Sequence, residues 1–588
     1  MKHFTFLLGA ALAVWASGCR VESEQVEDVR TFCNPINISY RFCLDEPSRR
    51  EAADPSIVLY KDEYWLFLSK SGGYFHSKDL INWDLVTTED LPVESYAPTA
   101  VVINDELYFI TSGDTRLFKT SDPLSGKWQF VTEIPVTQWD PMLFADDDGR
   151  VYFYWGCSNN EPIRGVELDK TTFQPLGEPV ALIHHHSGKY GWERTGDYND
   201  GVLEPLPGAV TEGRLDANGE KKNYNEGAWM NKRDGRYYLQ YATPGTEFKS
   251  YNDAVYVSGK PLGPYTVSRV NPFAYKPEGF ANGAGHGSTF QDRYGNYWHI
   301  GTVTIARKHM FERRLSIFPV CFDADGYMSA CTSFGDYPFI VPDGKVEEVR
   351  TLSAGWMLLS YNKPAVTSSY IDGYEAANAL NEDIRSYWSA RTGDKGEFIS
   401  IDLEQVATIH AIQINFAEHN TTQLGRREGL AHQYILDCSV DGDNWVVLSD
   451  KSQSINDLPH DYIQLEKPVK ARYVRLTNIR MPDGCFALSG LRVFGLAGGK
   501  KPQAVKNLTV QRLDDRRAAR LTWDKSPDAT GYNIRFGIQP DKLYQSYMVY
   551  GDTATVTIRS LNADEQYHFS IEAFNESGIT PPVLSKIR

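Results

Sequence analysis

Three carboxylates of this chain occupy one position in a repeated pattern. Asp54 heads "DPSIVLYKDEYWLF", Asp140 heads "DPMLFADDDGRVYF" and Glu226 heads "EGAWMNKRDGRYYL". Ala97 heads "APTAVVINDELYFI" and His286 heads "HGSTFQDRYGNYWHI" in the same way. Each head is followed by a small residue or proline, an apolar run, a polar turn and an aromatic run. A carboxylate at the start of an apolar run is costly unless something compensates it. If the heads converge, they can do one of two things: bind a hard cation or carry acid–base chemistry. A single acid would suit a strand-entry turn. Three acids and a histidine at equivalent positions point to a shared site.

The elements that would bring them together follow from the spacing. The first three heads are 43 residues apart, the next gap is 86 and the last is 60. In the third copy, Asp146 to Gly149 make a tight turn and "RVYFYWG" returns as a strand. A strand-built repeat near 40 residues is the signature of a β-propeller with one four-stranded sheet per blade. Five copies predict five blades, with each head facing the central axis. Glycoside hydrolysis needs one protonated and one ionised carboxyl on opposite sides of the bond. A third acid nearby would keep the proton on the acid group by like-charge repulsion.

These motifs, with "WDPMLFADDDGRVYFYWG", "NEGAWMNKRDGRYYLQYATPGT" and "GHGSTFQDRYGNYWHIG", resemble glycoside hydrolase family 43, a family of five-bladed propeller enzymes. The resemblance covers about residues 34 to 345 and implies an inverting mechanism. It implies Asp54 as general base, Asp140 as pKa modulator and Glu226 as general acid. His286 matches a central histidine that can help hold a structural Ca2+ at the propeller axis through water. No cofactor is implied for the chemistry itself. "RRLSIFPV" resembles a substrate-binding arginine segment, with Arg313 as the match and Arg314 as its alternative. Trp83 in "HSKDLINW" is expected in a blade core. The family's substrates include α-L-arabinofuranosides, β-xylosides and galactose-containing linkages, which these motifs do not separate.

The 86-residue gap contains an insertion from Ala181 to Asn225. Loops this long are functional or disordered. Tyr190, Trp192, Glu193 and Arg194 suit a sugar wall, so Trp192 and Arg194 are expected to bind substrate from a loop folded over the axial mouth. Glu204 is a rival acid without the repeat context. His184, His185 and His186 are adjacent, which hinders all three from facing one ion.

The 588 residues are too many for one domain. Hydrophobic residues at 41% and charged residues at 23% place the chain among globular proteins. A net charge of −16 without a basic stripe argues against nucleic-acid binding. Lys2 and His3 precede "FTFLLGAALAVWA", a secretory signal too short to span a membrane. "ASGC" resembles a bacterial lipobox, which implies a lipid anchor at Cys19 and a tether over 20–33. Cys33 with Cys43, and Cys321 with Cys331, could pair in an oxidising compartment or remain buried thiols.

After residue 345 the alternation changes to that of packed antiparallel sheets. "SSYIDGYEAANALNEDIRSYWSA" and "ARYVRLTNIRMPDGCFALSGLRVFG" resemble a discoidin (coagulation factor type C) domain over 346–497, with Trp388 and Trp445 expected to pack. "ARLTWDKSPDATGYNIRF" resembles fibronectin type III, which implies a domain over 503–588 acting as a spacer, anchored by Trp523 and Tyr567. The expected fold is mostly β: a five-bladed propeller followed by two β-sandwiches. The expected protein is a monomeric, exo-acting glycosidase of oligo- or polysaccharides, anchored at a cell surface or in the periplasm. A carbohydrate-binding lipoprotein with an inactive propeller is the alternative.

Overall fold

The computed structural model describes residues 29–136, 138–203 and 222–585. Cys19, the signal segment and Glu204 lie outside the described residues.

Five four-stranded antiparallel sheets follow one another along the chain, each a simple up-and-down meander. Their innermost strands are Ser56–Tyr60, Thr99–Ile103, Met142–Ala145, Glu226–Arg233 and Gly285–Gln291. Each innermost strand touches that of the next sheet, and the fifth touches the first, so the ring closes. The blades form because aromatic and β-branched residues stack between neighbouring sheets. Leu107, Phe109 and Phe118 of blade two pack on Trp65, Phe67 and Tyr74 of blade one. Ile57, Leu66 and Phe75 pack on Trp298, Ile300 and Ile317 of blade five, which seals the ring. Trp83 packs against that same cluster.

Blade three is complete, ending in the strand Val180–Ile183, so the insertion leaves at a blade junction. Its first part does not fold over the axial mouth. Trp192 is fully buried in the apolar cluster between blades three and four. Its ring stacks on Tyr190 at 4.7 Å and its indole N–H donates to the Tyr241 hydroxyl at 3.3 Å. The expectation that Trp192 contacts substrate is therefore corrected: an indole closed off from solvent packs a core. Trp192→Ala is expected to cost about 3–5 kcal/mol of stability while leaving KM near wild type. Urea melts alongside initial rates check this, and a raised KM with unchanged stability would reverse it.

The same segment docks on the last domain. The Gly191 N–H donates to the Leu561 carbonyl at 2.9 Å, and the Ala563 N–H to the Lys189 carbonyl at 3.0 Å. Gly191 permits this approach, since a Cβ there would sit 2.0 Å from the Arg559 carbonyl oxygen. Lys189 pairs with Asp564 at 2.6 Å, and Arg194 lies 3.7 Å from Asp515. Arg194, expected at the sugar, belongs to this interface instead.

The second domain is one hydrogen-bonded network around the core of Trp388, Ile401, Ile412, Leu476 and Val493. Its long strands Phe398–Phe416 and His460–Arg480 pair with register shifts between Asp402 and Ala407 and between Ile409 and Ala411. Such bulges bend a strand and let it wrap a core. Trp445 is half-buried under Arg475, whose guanidinium lies 3.9 Å from its ring centre. The third domain packs two sheets over Trp523, Tyr532, Ile534 and Phe569, with Tyr567 at the edge of that core.

Both sandwiches are bound tightly to the propeller. Arg50 is fully buried between Glu418 and Asp457 of the second domain, at 2.6 and 2.7 Å. Arg426 pairs with Glu94. Phe334 and Tyr337 of the propeller, Phe494 of the second domain and Met548 and Phe574 of the third share one cluster. Tyr275 of the propeller sits in the third domain's core. The third domain is therefore a packed neighbour, not a spacer. All seven described cysteines, including Cys33, Cys43, Cys321 and Cys331, are free thiols.

Candidate active site

The turn at each head aims its side chain. Asp54, Ala97, Asp140 and His286 have φ of 52°, 47°, 53° and 45°. This left-handed conformation costs a non-glycine residue on the order of 1–2 kcal/mol, and such strain concentrates at functional sites. The neighbouring blades hold it in place. The Asp54 N–H donates to the Thr302 hydroxyl at 3.1 Å, Ala97 N–H to Ser69 at 2.8 Å and Asp140 N–H to Ser112 at 2.8 Å. Asp140 sits between Trp139 and Pro141 because the chain reverses there and delivers the carboxylate to the axis.

Blade four differs. Its left-handed residue is Gly227, at φ 65°, and the carboxylate comes from the residue before it. A Cβ on Gly227 would lie 2.8 Å from the His286 ring, so glycine is needed there for space as well. The Gly227 N–H donates to Asp140 Oδ2 at 3.2 Å. The repeat places Glu226 at a head, and the backbone displaces it by one residue.

The carboxyls then meet opposite surroundings. Asp54 accepts from Ser69 at 2.6 Å and from Arg313 at 3.1 Å, and His286 Nδ1 lies 3.3 Å away. Burial raises its pKa, but the Arg313 and His286 charges and the Ser69 hydrogen bond outweigh this and lower it overall. Glu226 has no cation in hydrogen-bond contact among the described residues. It accepts from the Tyr251 hydroxyl at 2.6 Å and from the Cys157 thiol at 3.2 Å. Burial and then the Asp140 charge push its pKa up to about 7. Asp140 is itself raised, by burial and by Asp54, against the pull of His286. His286 is raised because the carboxylates around it outweigh its desolvation. Its Nδ1 stands 3.7 Å from Asp140 Oδ2, between the first and third blades.

Several partners here carried no signal in the motifs. Asp253, fully buried, accepts the backbone N–H of His286 at 2.8 Å and of Gly287 at 3.1 Å, and so fixes the fifth head. Burial lifts it to about 7. Glu51 holds the other side of Arg313 at 2.5 Å. Asp253, Glu51 and Tyr251 occupy no repeated position, so only the fold reveals them. Cys157 could have been found, because it aligns with Ser69 and Ser112. Strand alternation separates the two arginines: Arg313 faces Asp54, whereas Arg314 turns to His460 at 2.9 Å in the second-domain interface. Trp139, next to Asp140 in the chain, is 51% exposed. Tyr96 and Phe311 pack over Arg313, at 5.9 and 5.0 Å from its guanidinium carbon.

A hard cation takes six to eight oxygen ligands. Here the Asp54 oxygens are occupied by Ser69 and Arg313, and the group nearest Asp140 and Glu226 is a thiol. The carboxylates by themselves do not make up a Ca2+ shell, and no step below is routed through a metal.

Residues 48–328 match the family model for glycosyl hydrolases family 43. The propeller is a family 43 glycosyl hydrolase domain. Residues 364–489 match the F5/8 type C domain and 501–585 the fibronectin type III domain. The chain is 27% identical over 280 residues to a xylan 1,3-β-xylosidase of a Vibrio species, covering 42% of this chain and 46% of that protein. It is 24% identical over 381 residues to the non-reducing end α-L-arabinofuranosidase BoGH43B of Bacteroides ovatus, covering 59% of each. The chain thus spans about half the length of these curated relatives. A crystal structure of the family 43 protein BlXynB, a mutant form from Bacillus licheniformis, overlaps 93% of this chain and all of that one, at 15% identity and a TM-score of 0.39. Within the family 43 domain, the axis brings together Asp54, Asp140, Glu226, His286 and Arg313. Trp192 and Arg194 stand apart, in the inter-blade core and the third-domain interface.

Proposed function

We propose that this protein is an inverting, exo-acting glycoside hydrolase that removes terminal α-L-arabinofuranose or β-xylose from plant or related polysaccharides. One observation carries the reading: two carboxyls of one axial site meet opposite surroundings, Asp54 the cations of Arg313 and His286, Glu226 only the Tyr251 hydroxyl and the Cys157 thiol. Asp54, gripped by Arg313 and His286, stays ionised and takes a proton from water. Glu226, met by neutral donors and by the repulsion of Asp140, keeps its proton and gives it to the departing oxygen. Asp140 maintains that proton and, through the Gly227 N–H, orients the strand that carries Glu226. The choice of sugars is supported by the names of the relatives, a xylosidase and a non-reducing end arabinofuranosidase. In this reading the chain acts as a monomer outside the inner membrane, tethered through Cys19.

A panel of chromogenic α-L-arabinofuranoside, β-xyloside and galactofuranoside substrates tests the proposal. Activity is expected on one of the first two. A linear polysaccharide or a branched one should release monosaccharide from the first time points. Mixed oligosaccharides early in the reaction would show internal cutting, and turnover of none of the panel would favour a carbohydrate-binding propeller.

A further inference from the structure

Cys157 holds, in the third blade, a position that serine holds in the first two. The second strands of these blades begin at Glu63, Glu106 and Val151, and Ser69, Ser112 and Cys157 lie equally far beyond those starts. Each serine accepts the N–H of the next blade's head and donates to a carboxylate, Ser69 to the head of its own blade and Ser112 to the head of the next. Ser69 accepts the Ala97 N–H and donates to Asp54 Oδ2 at 2.6 Å. Ser112 accepts the Asp140 N–H and donates to Asp140 Oδ1 at 3.3 Å. At the third junction the sulfur lies 3.2 Å from Glu226 Oε2, while Tyr251 occupies Oε1. So the carboxyls contacted by this repeat position receive a hydroxyl in two cases and a thiol in the third.

A thiol is a weak hydrogen-bond donor. Burial and then the charges of Asp140 and Glu226 raise the Cys157 pKa well above that of a free thiol, so it remains protonated and faces Glu226 as S–H. A serine there would stabilise the ionised carboxylate more strongly, as a donor to a charged acceptor. We propose that Cys157 is a positioning residue that holds Glu226 in place while leaving it a weaker hydrogen bond than serine would, which favours the protonated carboxyl over the carboxylate. This rests on Glu226 being the general acid. The other groups whose charge or hydrogen bonds act on Glu226 are Asp140 from blade three, Tyr251 from its own blade and His286 from blade five, and substitutions of Cys157 leave them in place.

The experiment is the pH dependence of kcat/KM for Cys157→Ser and Cys157→Ala, with Glu226→Gln as the control. Cys157→Ser should stabilise the ionised form and move the basic limb to lower pH. Cys157→Ala removes a donor and should move it to higher pH. Each shift is expected to be about half a pH unit or more, on the order of one modest hydrogen-bond difference. Packing alone does not produce opposite shifts from two substitutions of similar volume. Two variants with the wild-type basic limb, or limbs moved in the same direction, would overturn the assignment of Cys157. An active Glu226→Gln enzyme would instead remove the general acid itself, a failure distinct from that of Cys157.

Discussion

Glu226→Gln and Asp54→Asn are each expected to lower turnover about 10²–10⁴-fold with the fold intact. The losses should differ in kind. Without Glu226, substrates with poor leaving groups lose the most, because a departing alkoxide needs a proton. An aryl glycoside with an acidic phenol should lose much less. Without Asp54, water is no longer activated, and the loss should be similar for every leaving group. Inversion requires room for water between acid and base, which corresponds to a carboxyl separation of about 6.5–9.5 Å. Under the roles proposed for Asp54 and Glu226, proton NMR of the first-formed sugar should show the inverted anomer, and a retained anomer would remove Asp54 from its role. The pH profile supplies the third arm. Activity needs Glu226 protonated, so the rate should fall as pH rises through about 7. It needs Asp54 ionised, and because that pKa is lowered, the acid limb should lie below the ordinary carboxylate range. Asp140→Asn removes a charge that raises Glu226. The Glu226 pKa should fall, and the basic limb should move to lower pH. An unchanged profile with full activity would reduce Asp140 to a strand-entry turn.

Deleting the third domain, by ending the chain at Gly499, should damage the propeller as well as shorten the protein. The cut exposes the side of Tyr275, Phe334 and Tyr337 that Tyr547, Met548 and Phe574 now cover. Each such side chain contributes about 1.5–3 kcal/mol if fully exposed, so a large fall in melting temperature is expected. The effect should reach the chemistry. The third domain grips residues 189–191 through Leu561 and Ala563. The Asn252 side-chain amide donates to the Trp192 carbonyl at 3.0 Å, and Asn252 adjoins Tyr251, whose hydroxyl holds Glu226. Loosening that chain of contacts should lower kcat more than it raises KM. Gly191→Val tests the same path in the full-length chain, because its side chain would collide with the Arg559 carbonyl. A truncated protein with the parent's melting temperature and kcat would show the domain to be the spacer its sequence suggests.

The repeat made much of the architecture legible. Its period, its aromatic strands and its polar turns are local properties, so five blades could be counted from the heads alone. The convergence of Asp54, Asp140, Glu226 and His286 followed, because equivalent positions of a ring share one axis. The packing of Trp388 and Trp523 was also legible, since each sits in an alternating apolar pattern. What the sequence left open concerns partners chosen by packing between distant segments. Tyr190 to Arg194 reads as a sugar wall because aromatic and charged residues occur together. The same composition serves an inter-blade core and a domain interface, and only the tertiary structure selects between them. Arg313 and Arg314 are indistinguishable as neighbours in sequence, whereas a strand must send them to opposite faces. The surroundings that set the acidity of each carboxyl were decided entirely in three dimensions. Asp54 and Glu226 are both repeat carboxylates, yet one meets Arg313 and His286 and the other meets Tyr251 and Cys157. A pKa depends on burial and on charges within a few ångströms, and those neighbours come from other blades or, for Tyr251, from a loop of the same blade.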